Sequence, residues 1–432
     1  MNSIPLTADE AALQEKPRSS SLYRTLVLKA LSRMKLGRLT LELPGGEMTM
    51  LSDGSTSPHA TIRVRNDAFF KKCALYSGIG LGESYVEGDW ETDDLRAVIE
   101  WFIINVAHDV KMNGSSRRIP GVGLMQFLNR VGHLLRPNSL TNSRRNISEH
   151  YDLGNDFYKL WLDSTMTYSA ARFTSAEQTL EEAQISKYEA LCQKLRLTAD
   201  DHVLEIGCGW GGFSLHAAST YGCRVTGVTI SQAQYDEATQ RVKAAGLADK
   251  IEIRMQDYRL ITGRFDKIAS IEMLEAVGDK YLETYFRKCT QVLKPGGMLA
   301  FQMITVPDYS YNELRRGVDW IQKHIFPGSL LLSVSRVNQA IQQVGELFMH
   351  GMEDIGSGYA RTLREWHVNF NARLEDVRAL GYSETFIRKW NYYLKYCEAA
   401  FATRNISVVQ AVYTKPGNTE LHREDGVHLS HA

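Results

Sequence analysis

The sequence predicts an α/β chain, built on a doubly wound, mainly parallel sheet that opens on a glycine turn and is preceded by a smaller N-terminal domain. Three observations predict it. The run HVLEIGCGWGGFSLHAASTYG, His202 to Gly222, passes from a buried strand through clustered glycines into a helix. From there to Thr305 short apolar runs alternate with helical patterns, as in a sheet whose parallel strands are joined by crossover helices. Ahead of it lies a segment of different character, with two basic stretches that contain no acid.

In chain order, residues 1–16 read as a disordered leader and 17–146 as the N-terminal domain. Residues 147–416 read as the main α/β domain, and 417–432 as a polar, disordered tail. The leader lacks the basic start and long apolar run of a signal peptide. The longest apolar stretch, Ala97 to Val106, falls well short of the roughly 20 residues that span a bilayer. The first basic stretch, Lys16 to Thr40, carries Arg18, Arg24, Lys29, Arg33, Lys35 and Arg38 among Leu22, Leu26, Leu28 and Leu31. The second, Val110 to Ser148, interleaves basic residues with Leu124, Phe127, Leu128 and Leu134. A basic amphipathic helix suits an anionic membrane surface; the same pattern also suits a helix packed on its own domain with a solvated basic face.

Within the main domain, Val203–Ile206 read as the first strand and Phe213–Tyr221 as the helix after the turn. Arg224–Ile230 read as the second strand, with Ser231 as N-cap of the next helix. Ile251–Asp257 and Phe265–Leu274 read as the third and fourth strands and Asp279–Leu293 as a helix. Pro295-Gly296-Gly297 reads as a turn, and Met298–Thr305 as the fifth strand. The glycines, Thr229, Gln234 and Asp257-Tyr258 thus fall at the carboxyl ends of strands, where ligands of such sheets bind. The turn reads E-x-G-C-G-W-G, with an acid two residues before the first glycine. That form suits S-adenosylmethionine better than a dinucleotide, whose pyrophosphate wants G-x-G-x-x-G at a helix N-terminus.

The chain of 432 residues has no net formal charge, 44% hydrophobic and 23% charged residues, an ordinary globular balance that singles out no nucleic acid partner. Its six cysteines lie far apart with no CxxC pair and no zinc-site spacing, so reduced thiols, a cytoplasmic setting and no metal are expected.

Four motifs carry a resemblance. They are EHYDLGNDFYKLWLDSTMTYSAARF (Glu149–Phe173); VLEIGCGWGGF with VTGVTIS; FDKIASIEMLEAVG (Phe265–Gly278); and GYARTLREWHVNF followed by KWNYYLKYCEAAFATRNISVVQAVY. At these motifs the sequence resembles the cyclopropane fatty acid synthases, a family that includes the mycolic acid cyclopropane synthases. The likeness runs from about Leu39 to Tyr413, and GIGLGESYVEGDWETDDL resembles the longer members that act on phospholipids. The resemblance implies a seven-stranded, Rossmann-like class I methyltransferase. It implies methyl transfer from S-adenosylmethionine to a cis double bond of a phospholipid acyl chain, through a carbocation that loses a proton and closes a cyclopropane ring. It also implies a bound bicarbonate ion as base, a bilayer surface as partner from the cytoplasmic side, and a second copy of the chain as a candidate partner.

By the same match, Tyr168 and Ser169 close over the cofactor. Gly207, Cys208 and Gly209 touch its methionine part, Thr229, Ile230 and Gln234 its ribose, and Gln256, Asp257 and Tyr258 its adenine. Glu275 and Tyr359 match residues that hold bicarbonate, and Gln302 stands where bacterial members have His. Those members also have Cys where this chain has Ala170 and Glu-His where it has Glu275-Ala276; SIEMLEAVG and FQMITVPD read more like the plant-type synthases. Cys397 matches a cysteine considered for catalysis, although on an apparent helix between Tyr393 and Ala400 it also reads as a small buried residue. A carbocation needs a dry site, aromatic faces and a positioned base. The alternatives are a lipid methyltransferase giving a methyl-branched chain, an amine N-methyltransferase, and a lipid-binding module without catalysis.

Overall fold

The structure, a computed structural model, describes residues 20–51, 56–108, 153–418 and 421. The expected leader, most of the tail and the second basic stretch lie outside the described residues. The N-terminal elements are α1 (Ser20–Leu31), β1 (Arg38–Glu42), β2 (Met48–Leu51), β3 (His59–Val64), α2 (Ala68–Tyr76), α3 (Gly78–Val86), β4 (Trp90–Glu91) and α4 (Leu95–His108). Their strands form a four-stranded sheet in the order β2-β1-β3-β4. β1 and β3 alternate half-buried with buried positions, placing Leu39, Leu41, Ala60, Ile62 and Val64 on one covered face.

The larger part comprises α5 (Asn155–Lys159), α6 (Leu180–Leu195), β5 (His202–Ile206), α7 (Gly212–Tyr221), β6 (Arg224–Thr229), α8 (Gln232–Ala244), β7 (Ile251–Met255), β8 (Phe265–Ile271), α9 (Leu282–Val292) and β9 (Leu293–Thr305). After these come α10 (Asp308–Leu314), α11 (Trp320–His324), α12 (Val334–Val344), β10 (Phe348–Asp354), α13 (Ser357–Ala372), α14 (Leu374–Ala379), α15 (Glu384–Ala402) and β11 (Ser407–Thr414). The sheet has seven strands in the order β10-β11-β9-β8-β5-β6-β7. β7, β6, β5, β8 and β9 run parallel; on the β9 side β11 is antiparallel to β9, and β10, antiparallel to β11, returns to the direction of the five.

Local chemistry explains the boundaries. Ser231 caps α8 by accepting the Gln234 amide, and Thr179 and Glu182 form a reciprocal capping box that starts α6. The expected Pro295-Gly296-Gly297 turn is instead absorbed into β9. There the β8–β9 register jumps from Phe265↔Leu293 to Lys267↔Met298, with Gly296 in the left-handed region. The jump takes up extra residues on the β9 side, an irregularity of the kind a bulge makes.

One apolar cluster joins the N-terminal elements to the helices after the sheet: Trp90, Val98 and Trp101 belong to the same buried set as Trp161, Trp366 and Trp390. Polar ties cross the same seam. Arg388 on α15 donates to the Tyr85 and Trp90 carbonyls, and Arg96 on α4 reaches the buried Glu398 at 3.1 Å. Glu398 also meets Lys395 at 2.8 Å and Arg364 at 3.4 Å, so its charge is compensated where it is dry.

Candidate active site

The carboxyl ends of β5 to β9 form one continuous edge, and the candidate residues lie along it. At β5 the chain leaves Ile206 through Gly207, Gly209 and Gly211, all with positive φ, a path on which any L side chain is strained. Gly207 and Cys208 donate to the Val228 carbonyl, which pins the turn to β6. A Cβ on Gly209 would meet nothing within 4 Å, so the turn faces open space. Glu205, the acid before the turn, is buried beneath it and accepts from Ser214 on α7; burial pushes its carboxyl up to about 8.

At the end of β6, Thr229 donates to the buried Gln234 carboxamide at 2.9 Å, with Ile230 half-buried between them. At the end of β7 the Gln256 amide donates to the Thr229 carbonyl, joining the two loops. Asp257 is clamped by Arg259 through its backbone amide, Nε and Nη2, at 2.9, 2.8 and 2.6 Å. Tyr258 packs edge-on to Tyr285.

The segment after α5 lies across this edge. Trp210 of the glycine turn donates to Asn155, and Arg241 on α8 donates to the carbonyls of Ser164, Thr165 and Trp210. Tyr168 shares a 2.7 Å hydrogen bond with Tyr393 and sits among the rings of Tyr158, Trp161, Phe326 and Trp366. Ser169 accepts from Lys187 at 2.7 Å. That lysine is fully buried, and desolvation lowers its ammonium to about 8 against the opposing pull of Glu272, Asp163 and Glu205.

The carboxylates at β8 are arranged differently from the sequence expectation. Glu275 and Tyr359 bond to different groups. The Tyr359 hydroxyl donates to Glu272 Oε2 at 2.8 Å. Glu272 Oε1 accepts the Ala170 amide and Gln302 Nε2, each at 2.8 Å. Glu275 instead accepts the Ile304 amide at 2.6 Å through Oε1, and its buried Oε2 has no hydrogen-bond partner. Burial, and then the nearby charge of Glu272, push the Glu275 carboxyl up to about 8. Glu272 is also raised by burial, but the Ala170 amide, Gln302, the Lys187 charge and Tyr359 all pull it back. Three donors on Glu272 favour its carboxylate form, whereas Glu275, with one donor and one unpartnered oxygen, favours the acid.

Gln302 is oriented from behind. Its Oε1 accepts from Gln410 Nε2 at 3.1 Å, and Gln410 Oε1 accepts from Lys194 at 2.6 Å. The relay leaves the Gln302 amide hydrogens for Glu272 and the Ala170 carbonyl. Cys397 is half-buried beside the aromatic cluster, and desolvation drives its thiol above the ordinary range. A nucleophilic cysteine needs the opposite, an environment that favours thiolate.

Sequence reading missed Glu272, Lys187, Gln410 and Lys194. The expected fourth strand, Phe265–Leu274, takes Glu272 as one of its residues. The available signal is an acid at the carboxyl end of an apolar parallel strand, three residues before Glu275.

A family model described as mycolic acid cyclopropane synthetase matches residues 138–411. The chain is 37% identical over 368 residues to the cyclopropane-fatty-acyl-phospholipid synthase of Escherichia coli K12, covering 83% of this chain and 89% of that one. It is 35% identical over 405 residues to the tuberculostearic acid methyltransferase of Mycobacterium tuberculosis, covering 90% and 92%. Among solved structures, a mycolic acid cyclopropane synthase complexed with SAH and CTAB superposes with a TM-score of 0.59 at 28% identity, covering 63% of this chain and 98% of that one. Coclaurine N-methyltransferase superposes with a TM-score of 0.60 at 20% identity, covering 78% and 99%, a likeness of fold alone.

Proposed function

The chain belongs to the mycolic acid cyclopropane synthetase family of S-adenosylmethionine-dependent methyltransferases, and we propose that it converts a cis double bond in a phospholipid acyl chain into a cyclopropane ring. The carrying observation is a carboxyl group held by three donors beside aromatic faces, one residue from the contact with the glycine turn. Gly207, Cys208 and Gly209 would hold the methionine end of the donor. Thr229, Ile230 and Gln234 would hold the ribose, and Gln256, Asp257 and Tyr258 the adenine. Tyr168 and Ser169 would close the reacting end. The open space before Gly209 fits that seat. S-adenosylmethionine, when bound, supplies an electrophilic methyl group.

The chain's own contribution is the surroundings of the cation formed on the lipid. Tyr168, Tyr359 and Trp366 form one ring cluster, with centroids 5.3 and 6.0 Å apart where they meet Trp366. Aromatic faces attract a cation, and their bulk excludes the water that would trap it. A bicarbonate base, implied by the resemblance, does not fit the residues present. The donors that would hold it, the Ala170 amide, Gln302 and Tyr359, already hold the Glu272 carboxylate. No step is routed through bicarbonate.

Substrate access would come from a membrane surface. No helix among the described residues is long and apolar enough to cross a bilayer. On α1, Leu22 and Leu26 are exposed, and Arg24 between them pairs with Glu47, next to exposed Met48. This apolar patch, with Lys29, Arg33 and Lys35 on the same segment, suits an anionic interface reached from the cytoplasmic side.

The test of the reaction is mass spectrometry of unsaturated phospholipid incubated with enzyme and methyl-labelled donor. The expected product gains one labelled methylene at the former double bond and resists hydrogenation as a ring. A methyl-branched or exomethylene product would replace ring closure by another lipid outcome, and an unmodified lipid would refute the reaction. For the surface, binding to anionic vesicles is expected to weaken as salt rises and to fall further in Leu26→Glu. Binding indifferent to both would remove the patch from the membrane.

A further inference from the structure

Glu272 has features that the reaction as expected from the family leaves unused. It follows β8 directly with φ of +49°, a left-handed conformation rare outside glycine and found disproportionately at functional sites. Its own amide donates to the Gln302 carbonyl at 2.8 Å, which anchors the residue to β9. Both carboxylate oxygens are engaged by three donors at 2.8 Å: the Ala170 amide, Gln302 Nε2 and the Tyr359 hydroxyl. No cation pairs with it directly among the described residues, in contrast to Asp257 with Arg259 or Glu353 with Lys194. The carboxylate is therefore fixed in place by neutral donors, with the Lys187 charge nearby but not in contact. The relay from Lys194 through Gln410 and Gln302 sets the direction of one of its donors.

Its position is equally specific. Met273 follows it and lies against Gly207, where an added Cβ would come within 2.7 Å of Met273 Cγ. Tyr359, which holds the other oxygen, stacks near Phe401 at 4.4 Å and meets Trp366 edge-on. The anion thus stands between the glycine turn and the aromatic cluster, the two places that the donor and the cation would occupy.

We infer that Glu272 is the general base of this chain: its side chain fills the anion seat formed by Ala170, Gln302 and Tyr359 and takes the proton from the transferred methyl group. The inference rests on the lipid reaction proposed above. In the step, a C–H bond of the transferred methyl breaks. Its electron pair forms the bond to the neighbouring cationic carbon and closes the ring, and the proton passes to the Glu272 carboxylate and then to solvent. The methyl carbon lies 1,3 to the cationic carbon, and as it bridges to that carbon its C–H bonds share the positive charge and become acidic enough for a carboxylate, so no oxidant, reductant or stronger base is required. Glu275 does not compete for the role, since its bonded oxygen faces the Ile304 amide and it stays protonated at neutral pH. Tyr359 does not compete either, because it already donates its proton toward Glu272.

The test compares the wild-type chain with Glu272→Gly, a substitution that the left-handed backbone accepts and that empties the seat while leaving the three donors. The wild type is expected to turn over equally well in bicarbonate-depleted and bicarbonate-supplemented buffer. Glu272→Gly is expected to lose about 100-fold or more in rate, as removal of a general base does, to keep its affinity for S-adenosylmethionine, and to recover rate when bicarbonate is added. Carbon-13-labelled bicarbonate should bind Glu272→Gly and not the wild type by NMR. The inference is overturned if the wild type needs or binds bicarbonate, or if Glu272→Gly turns over at the wild-type rate without it. A wild type that makes no modified lipid would remove the proposed reaction instead, and the bicarbonate-binding comparison still tests the seat by itself.

Discussion

Glu275→Gln is expected to stabilise the protein at alkaline pH and to leave its stability at mildly acidic pH nearly unchanged. Glu275 is buried, one of its oxygens has no partner, and burial together with Glu272 raises its carboxyl to about 8. An unfolded glutamate titrates near 4.3. Between those values the unfolded chain has released the proton and the folded chain has not, so stability falls as pH rises through this window. At about 1.4 kcal/mol per unit, the loss reaches at most about 5 kcal/mol, and less where water enters the site or the two carboxyls share the shift. Glutamine has no proton to lose and can still accept from the Ile304 amide. Glu205 and Glu272 tilt the wild-type profile in the same sense, since burial raises both; only the difference between variant and wild type isolates Glu275. Urea unfolding at pH 5, 7 and 9 measures it. The variant's advantage should grow with pH, and parallel profiles would falsify a protonated Glu275. Turnover should suffer less in this variant than in Glu272→Gly, which moves the loss that sequence reading assigned to Glu275 three residues back.

That displacement marks where the sequence stops being legible. The alternation of strands and helices from Val203 to Thr305 could be read because each parallel strand is an apolar run bounded by glycine or a cap such as Ser231. The glycine turn could be read because its conformation admits little else. Glu272 could not, because periodicity carries side-chain direction only while a strand continues, and here the strand ends with a reversal of φ. Read as one more strand residue, it had no assigned direction, whereas Glu275 matched a motif. β10 and β11 were not placed individually. β10 is an edge strand with Phe348, Met349 and Met352 exposed, and β11 carries a buried Gln410 in an otherwise apolar run. Gln410 is there to orient Gln302, a pairing that register alone establishes: the two face each other across β11 and β9. Likewise, an apolar face shows that a helix is covered without showing by what. Val98 and Trp101 of α4 belong to the same core as Trp390 of α15, a junction between distant segments that no local pattern encodes.

Gly207→Ala is expected to weaken S-adenosylmethionine binding by at least tenfold while leaving the protein folded. Two costs fall on the same methyl group. The backbone at Gly207 has φ of +82°, a region that costs an L residue about 1–2 kcal/mol. The new Cβ would also lie 2.7 Å from Met273 Cγ and 3.1 Å from its Cβ, closer than such atoms approach. The nearer contact is to a flexible side chain, but Met273 is fixed by its neighbours on both sides. Glu272 before it is held by Ala170, Gln302 and Tyr359, and the Met273 carbonyl accepts the Ala276 amide. The cheaper adjustment is therefore for the turn to move, and that turn is the proposed seat of the donor's methionine end. A shift of a few tenths of an ångström misaligns backbone groups that contact the ligand directly, and a loss of about 1.4 kcal/mol already weakens binding tenfold. Calorimetric titration with S-adenosylmethionine gives the affinity, and a thermal melt of the same sample shows whether the fold survives. Unchanged affinity in a folded variant would place the donor away from this turn, whereas weakened affinity with an intact melt ties the strain of one glycine to cofactor binding and, through Met273, to the position of the carboxylate beside it.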